Sequence, residues 1–337
     1  MLKIVGDCNF ADGFFDMGFG TGSSIKKGAN PFQHIKDRST EDYWIGNFEC
    51  VCSSVSNKEG LDAKQFVILP SVCDNVEHLD FYGVANNHVM QHGSNAYREM
   101  VGYLESKGIA FAGTDDKRTA VIEHQGKRVA ITVFNQRPEN FTKPPLYWAM
   151  PEYEAVREEL AKYDDCNFRV VYVHWGIEFI NYPYNDQKQF AHYLVDCGAD
   201  LIIGMHPHVM QGFEVYKGKH IFYSLGNCIF NMPWEPTKYS LMVNVELEKQ
   251  DVSYQYLKIG ADYFPSIIDN VPEKYTMEYL NGLLDICEDN EIYFAKASGC
   301  LGQYRKANKK QIMKDVWKFK LSDLSAMVTD FIKRRIR

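Results

Sequence analysis

Gly198-Ala-Asp-Leu-Ile-Ile-Gly-Met-His-Pro-His-Val-Met-Gln211 is the stretch whose reading decides the fold. Gly198 stops a helical pattern that runs from a candidate cap at Asn185 through Phe190, Leu194 and Val195. The apolar run 201–203 then reads as a short buried strand, and Gly204-Met-His-Pro-His208 follows at its carboxyl end. Helix, glycine stop, strand and polar turn in succession argue for a largely parallel α/β core. Residues i and i+2 of an extended chain point the same way. Pro207 pushes the residues before it toward extended backbone, so His206 and His208 are expected to face a common centre.

The same order of elements recurs through the first 230 residues. Strand candidates lie at 2–5, 43–45, 79–85, 129–134, 169–173, 201–203 and 221–225, and Ser94 is placed to cap a helix through Tyr97, Val101 and Leu104 that Gly108 stops. Six of these strands are followed by polar turns: Gly6-Asp7, Gly46-Asn-Phe-Glu49, Asn86-Asn-His88, His174-Trp-Gly176, the His-Pro-His run, and Gly226-Asn227. The carboxyl ends of parallel strands open on one edge, where ligands bind. One Asp, one Glu, four His and several Asn are thus expected in a single cleft. Segments 241–247 and 252–259 read as a hairpin, and the chain reads helical from about residue 273.

A lone histidine beside an apolar strand is ordinarily a hydrogen-bonded core residue, and an Asp after a strand is ordinarily a turn cap. Six strand ends that share one chemistry carry more weight. Imidazoles with carboxylates suit Mn, Fe, Zn or Co better than Ca or Mg. Asp7, Glu49, Asn87, His174, His206 and His208 exceed the ligands one tetrahedral ion takes, so the expectation is one or two divalent ions sharing a carboxylate and a water. Metal-bound hydroxide would be the nucleophile, and His88, beside Asn87, the general acid.

Composition excludes several other classes. The 337 residues are 45% hydrophobic and 24% charged, which is globular. No apolar run reaches the 18 residues of a membrane span, the start enters a strand-like run without a leader, and nine scattered cysteines form no disulfide framework or zinc clip. A reducing, cytoplasmic setting is the expectation. Residues 305–337 carry eleven Lys/Arg against three Asp/Glu, a net +8, which leaves −15 on the preceding residues of a chain whose total is −7. That acidic body argues against nucleic acid as a partner.

On Gly6-Asp7, Asn47-Phe-Glu49, Ala85-Asn-Asn-His88, His174-Trp-Gly-Ile-Glu178, the run 198–211, Glu214 and Tyr223-Ser-Leu-Gly-Asn227, the sequence resembles the capsule-synthesis CapA/PgsA family of the calcineurin-like metallophosphoesterase superfamily, over roughly residues 1–245. The resemblance implies a four-layer αββα sandwich, here spanning 1–265 with a basic helical extension over 266–337. It implies work on a bacterial surface polymer, capsular polysaccharide or poly-γ-glutamate, with that polymer or its precursor and the synthase or export components as partners. Carried over by position, it makes Asp7, Glu49, Asn87, His174, His206 and His208 metal ligands and His88 the acid, and puts Asn86, Trp175, Glu178 and Asn227 on the substrate side. Three positions depart from the superfamily pattern: Asn9 stands where Asp-x-His has its histidine, Glu49 where Asp is usual, and Gln91 where an Asp follows the Asn-Asn-His triplet. These leave two functions open, a metal-dependent hydrolase or a metal-stabilised, non-catalytic accessory protein that binds polymer. A nucleotide phosphoesterase is a third.

Elsewhere the reading is structural. Gly18-Phe-Gly-Thr-Gly22 lacks a following GK[ST] and reads as a flexible loop, and His192 as a packed residue. Tyr182, Tyr184 and Trp234 are candidates for a ring-lined wall. Ile312, Val316 and Phe319 fall on one face of a basic C-terminal helix, expected to pack on the body or lie peripherally on an anionic membrane.

Overall fold

The computed structural model describes residues 1–12, 18–35, 38–54, 66–137 and 144–336. The chain opens with β1 (Leu2–Cys8), α1 (Thr21–Lys26), β2 (Tyr43–Phe48), β3 (Val51–Cys52), β4 (Val67–Ile68), α2 (Pro70–Cys73), β5 (Phe81–Gly83), α3 (Ser94–Ser106) and β6 (Ala110–Ala112). It continues with β7 (Thr119–His124), β8 (Lys127–Asn135), α4 (Tyr153–Ala161), β9 (Phe168–His174), α5 (Asn185–Asp196), β10 (Leu201–Met205), β11 (Phe213–Tyr216) and β12 (Lys219–Phe222). Four strands, β13 (Asn227–Ile229), β14 (Tyr239–Glu246), β15 (Asp251–Ile259) and β16 (Pro265–Ile268), precede the helices α6 (Met277–Gly282), α7 (Asn290–Asp315) and α8 (Leu321–Ile336).

Strand order alone implies a single sheet edge; the described residues instead build two large sheets, beside a two-stranded pair of β3 and β4. One runs β16-β15-β14-β1-β2-β5-β6 with β13 beside β1, the other β11-β12-β10-β9-β8-β7. β1, β2, β5 and β6 are mutually parallel, as are β8, β9, β10 and β12, and the hairpin β14–β15 is antiparallel as expected. Side-chain parity stacks the layers. In β9, Val170 and Tyr172 face the other sheet, where the Tyr172 hydroxyl donates to the Val5 carbonyl at 2.7 Å. Val171 and Val173 point outward onto Phe190 and Leu194 of α5 and Val156 and Leu160 of α4. On the far side of the first sheet, Tyr82 meets His78, which also reaches Cys73 of α2 and Tyr103 of α3. Helices, sheet, sheet, helices is the αββα order.

Two glycines let the strand ends crowd together. A Cβ on Gly6 would lie 1.8 Å from the Gly226 carbonyl oxygen, and one on Gly204 would lie 2.1 Å from the Tyr223 oxygen and 2.2 Å from Trp175 Nε1. Boundaries shift from the sequence pattern: 79–85 contracts to β5, and 221–225 moves back to β12. Ser94 and Asn185 are the first helical residues rather than caps. The segment around Gly18–Gly22 is not a plain loop, because Thr21 starts α1 and is wholly buried, and Phe19 packs edge-on against Phe319 at 5.2 Å. His192 is held by Glu214 at 2.8 Å and stacked on Tyr216. All nine cysteines are free.

The C-terminal face also differs from the periodic reading. α7 stops at Asp315 and a 3₁₀ turn covers Val316–Lys318, which rephases the side chains. Ile312 and Phe319 therefore turn inward together with Phe19, while Val316 turns out. No helix among the described residues is long and apolar enough to cross a membrane.

Candidate metal centre

The strand ends of the two sheets meet. Asp7 is the last but one residue of β1 and Glu49 follows β2, while His174 ends β9 and His206 and His208 follow β10. All five are buried. Donor atoms of Asp7, Glu49 and His174 lie within 4.8 Å of one another, as do those of Glu49, His206 and His208, so the two triplets share Glu49.

Glu49 is the centre of the arrangement. It is 0% exposed, and among the described residues no nitrogen or hydroxyl donor reaches either carboxylate oxygen; its hydrogen-bonding neighbour is the Asp7 carboxyl. Its Oε1 lies 3.7 Å from His208 Nε2 and 3.8 Å from both His174 Nε2 and His88 Nε2. Burial, then the neighbouring Asp7 charge, pushes its pKa well above the ordinary carboxylate range. Burial likewise raises Asp7, against the pull of His208 and a hydrogen bond from Asn47. His174 and His206 are driven the other way, first by burial and then by neighbouring histidines and Arg137. Two unneutralised buried carboxylates cost several kcal/mol, and neutral imidazoles are the form that ligates. Paired carboxylates, neutral histidines and an orphaned buried oxygen fit a divalent cation.

Other side chains hold the donors in place. Asn227 Oδ1 accepts from His208 Nδ1 at 2.9 Å, which leaves Nε2 aimed at Glu49. Asn47 Nδ2 donates to Asp7 Oδ1 at 2.8 Å, and Asn86 Nδ2 donates to Asn47 Oδ1 and the Phe48 carbonyl. Asn86 Oδ1 receives the His88 and Val89 backbone N–H groups, so its amide is engaged at both ends. Asn87 Oδ1 lies 2.8 Å from His174 Nε2, so two predicted ligands converge on one point.

The His-Pro-His run reaches the centre by a route that differs from the expected one. His206 and His208 are not extended; their φ angles are 96° and 58°. Left-handed backbone at two non-glycine residues costs of order 1–3 kcal/mol each and persists where surrounding structure enforces it. The His206 N–H donates to Asp7 Oδ2, which locks that turn onto β1.

Trp175 requires correction. The residue after His174 points the opposite way, and Trp175 is buried on the outer face of the second sheet, donating to the Tyr223 carbonyl at 2.8 Å and stacking on Tyr223. It lines no substrate side. Tyr182 and Tyr184 also leave the cleft, packing on Tyr293 of α7, whereas Trp234 does pack on Phe179 near the cluster. Glu178 stays close enough to raise the Glu49 pKa.

Two features escaped the sequence reading, Arg137 and the ring contacts on His88 and His208. Arg137, two residues beyond β8, is close enough to act electrostatically on Glu49, His88, His174 and His206, and the strand-end rule applied to 129–134 would have found it. Phe66 stacks on His88 at 3.9 Å and Phe230 meets His208 edge-on at 4.8 Å, contacts without a local signal. Gln91 takes the place of the missing carboxylate: its Oε1 lies 3.0 Å from His88 Nδ1. Burial holds His88 down to about 3, so the ring is neutral with Nε2 facing the cluster.

The family model described as bacterial capsule synthesis protein PGA_cap matches residues 1–232. The capsule biosynthesis protein CapA of Bacillus anthracis is 29% identical over 243 residues, covering 64% of this chain and 57% of that protein. The PGA biosynthesis protein CapA of Bacillus subtilis is 31% identical over 243 residues, covering 66% of this chain and 63% of its own length. The match thus spans somewhat under two thirds of these relatives. Among solved structures, a novel phosphatase from Mycoplasma pneumoniae aligns with a TM-score of 0.48 at 12% identity, covering 81% of this chain and 95% of that one.

Proposed function

This chain belongs to the bacterial capsule synthesis protein PGA_cap family, and from that premise we propose that it is a metal-dependent hydrolase working in the synthesis of a surface polymer, poly-γ-glutamate or a capsular polysaccharide. The observation that carries this reading is the wholly buried Glu49 carboxyl beside Asp7, with no nitrogen or hydroxyl donor among the described residues and three imidazoles within 4 Å. One or two divalent ions of the Mn, Fe, Zn or Co type, held by Asp7, Glu49, Asn87, His174, His206 and His208, would supply Lewis acidity and an activated water.

The chain's own residues do the rest. Neutral His88, with Gln91 accepting at Nδ1, presents Nε2 as a proton acceptor; after taking a proton from the attacking water it returns that proton to the leaving group. Phe66 lies against one face of the ring and keeps its orientation. Arg137 stabilises anionic charge that develops on the substrate. Asn86 and Asn227 brace His88 and His208, and Glu178 stands at the substrate side. The exposed apolar residues of the C-terminal helices, set among lysines, support peripheral contact with an anionic membrane or a synthase partner.

The test is metal-loaded protein assayed on phosphoester, γ-glutamyl amide and glycosidic substrates, with and without chelator. His88→Ala is expected to lower turnover by about 10²–10⁴-fold while retaining metal. Protein that keeps its metal but turns over none of these substrates would fit the accessory reading instead. Two residues favour that alternative: Gln91 lacks the charge to hold a protonated His88, and Asn9 spends its Oδ1 on the Ala11 N–H at 2.9 Å.

A further inference from the structure

One ring of α7 joins the wall beside the donor cluster. Tyr304 stacks on Phe179 with ring centroids 4.6 Å apart and planes 18° from parallel, and Trp234 meets Phe179 edge-on at 5.6 Å. The Phe179 ring in turn lies 6.1 Å from that of His208. Phe179 holds left-handed backbone, φ 71°, and its N–H donates to the Pro207 carbonyl at 2.8 Å, inside the His-Pro-His turn. Such backbone is unfavourable for a bulky side chain; it persists where the surroundings enforce it, and it clusters at functional sites. The helix is pinned over this segment. The Tyr293 hydroxyl donates to the Tyr182 carbonyl at 2.9 Å, and Lys296 Nζ donates to the Tyr182 hydroxyl at 2.8 Å.

Two polar groups at this wall are uncommitted. Among the described residues, neither the Tyr304 hydroxyl nor the Glu178 carboxylate makes a hydrogen bond or an ion pair, and both side chains are half-buried. The Glu178 charge acts on Tyr304 and on Glu49, so it lies within electrostatic reach of both the helix and the cluster. Burial, then that charge, pushes the Tyr304 phenol up to about 12, which keeps it an O–H donor. No cation among the described residues acts on Tyr304, so an anion there would meet the Glu178 charge alone. A donor and an acceptor against an aromatic wall suit a group that is itself both, a hydroxyl or an amide. We propose that α7 completes the mouth of the metal centre and that Tyr304 contacts the substrate: its hydroxyl, with the Glu178 carboxylate, holds a neutral hydroxyl or amide next to the bond that is attacked and selects against a carboxylate. The inference rests on the metal-centre reading above. Tyr304 and Trp234 both lie beyond the family match, which ends at 232.

The test uses the full, metal-loaded chain. With its tyrosines replaced by 3-fluorotyrosine, the fluorine resonance missing from Y304F is that of Tyr304. Manganese in place of zinc is expected to broaden it. A signal equally sharp with both metals overturns the placement of Tyr304, whereas failure to take up either metal removes the metal centre itself, so the two failures are told apart. Titration calorimetry then compares inorganic phosphate, which needs only the metal, with 2-hydroxyethyl phosphate and phosphoglycolate, which add a hydroxyl or a carboxylate. Wild type is expected to bind the hydroxyl ligand more tightly than the carboxylate one, and absence of that preference overturns the proposal. Y304F keeps the ring on Phe179; it should bind 2-hydroxyethyl phosphate about three- to tenfold more weakly and inorganic phosphate unchanged. Equal losses for both ligands would mark a structural role and overturn the contact, as would no loss for either. Glu178→Gln should weaken the discrimination against phosphoglycolate, and undiminished discrimination removes Glu178 from the pair.

Discussion

At the strand ends, Glu49 has no surface in water and, among the described residues, no nitrogen or hydroxyl donor on either oxygen; in the C-terminal extension, Trp317 and Leu321 keep 76% and 85% of theirs exposed. One region hides charge in a dry interior, and the other shows apolar surface to solvent. Both are incomplete as they stand, though unequally. A buried unneutralised carboxylate costs several kcal/mol, whereas scattered exposed apolar residues cost little. The first region is therefore expected to respond strongly to small changes and the second weakly, unless its partner is present.

The largest difference should come from one added methyl group. Gly204→Ala puts a Cβ about 2 Å from backbone and indole atoms, with an expected loss of about 4 kcal/mol or more, read as collapse of the melting temperature. Gly302→Ala in α7 meets nothing within 4 Å, and should stabilise by up to about 1 kcal/mol. Similar losses at both glycines would break the contrast.

Next in size is Glu49→Gln. In metal-free protein it should not lower stability, since burial already opposes the charged form that Gln cannot adopt. It should also abolish the stabilisation that added divalent metal gives wild type, about 4 kcal/mol at a thousand times the dissociation constant. Thermal melts with and without metal check both halves, and a metal-free loss of stability would mean that Glu49 has a partner in the fold.

Within the extension, Phe319→Ala should cost about 2 kcal/mol, because Phe319 is buried against Phe19 and Ile312. Trp317→Ala should change stability by less than about 0.5 kcal/mol, yet reduce co-sedimentation with anionic vesicles; unaltered co-sedimentation would remove the membrane as the covering surface. The smallest effect expected is with acid. Burial by itself raises the Asp315 pKa, but hydrogen bonds from Lys318 and Gln311 outweigh it and hold the group below 3.8. Its contribution is thus complete above about pH 3.8 and disappears as pH falls through the lowered value. Proteolysis at 316–320 should increase at that acid edge, and Asp315→Asn should lose that dependence.

The donor set was legible because each member follows a strand of local pattern: Asp7, Glu49, His174, His206 and His208 were all named, and all converge. Trp175 follows the same strand end, but side chains alternate, so the neighbour of an inward His174 faces the outer layer and Tyr223. Phe66 and Phe230 have no local signal, since their contacts with His88 and His208 depend on chain segments returning to the cluster, whereas Gln91 is visible in the sequence as the departure beside His88 and only its contact with Nδ1 needed the fold. The face through Ile312, Val316 and Phe319 failed at a 3₁₀ turn that helical periodicity does not reveal.

By itself the sequence determined which chemical groups stand at the ends of which strands, since alternation, glycine stops and apolar runs act over a few residues. Only the tertiary structure decided that the ends of two separate sheets face each other, that His206 and His208 approach through left-handed backbone, and that Ile312 of α7 and Phe319 pack with Phe19. Those outcomes rest on contacts between residues one hundred or more positions apart, such as Asp7 with His206, and no local pattern encodes the packing that brings such residues together.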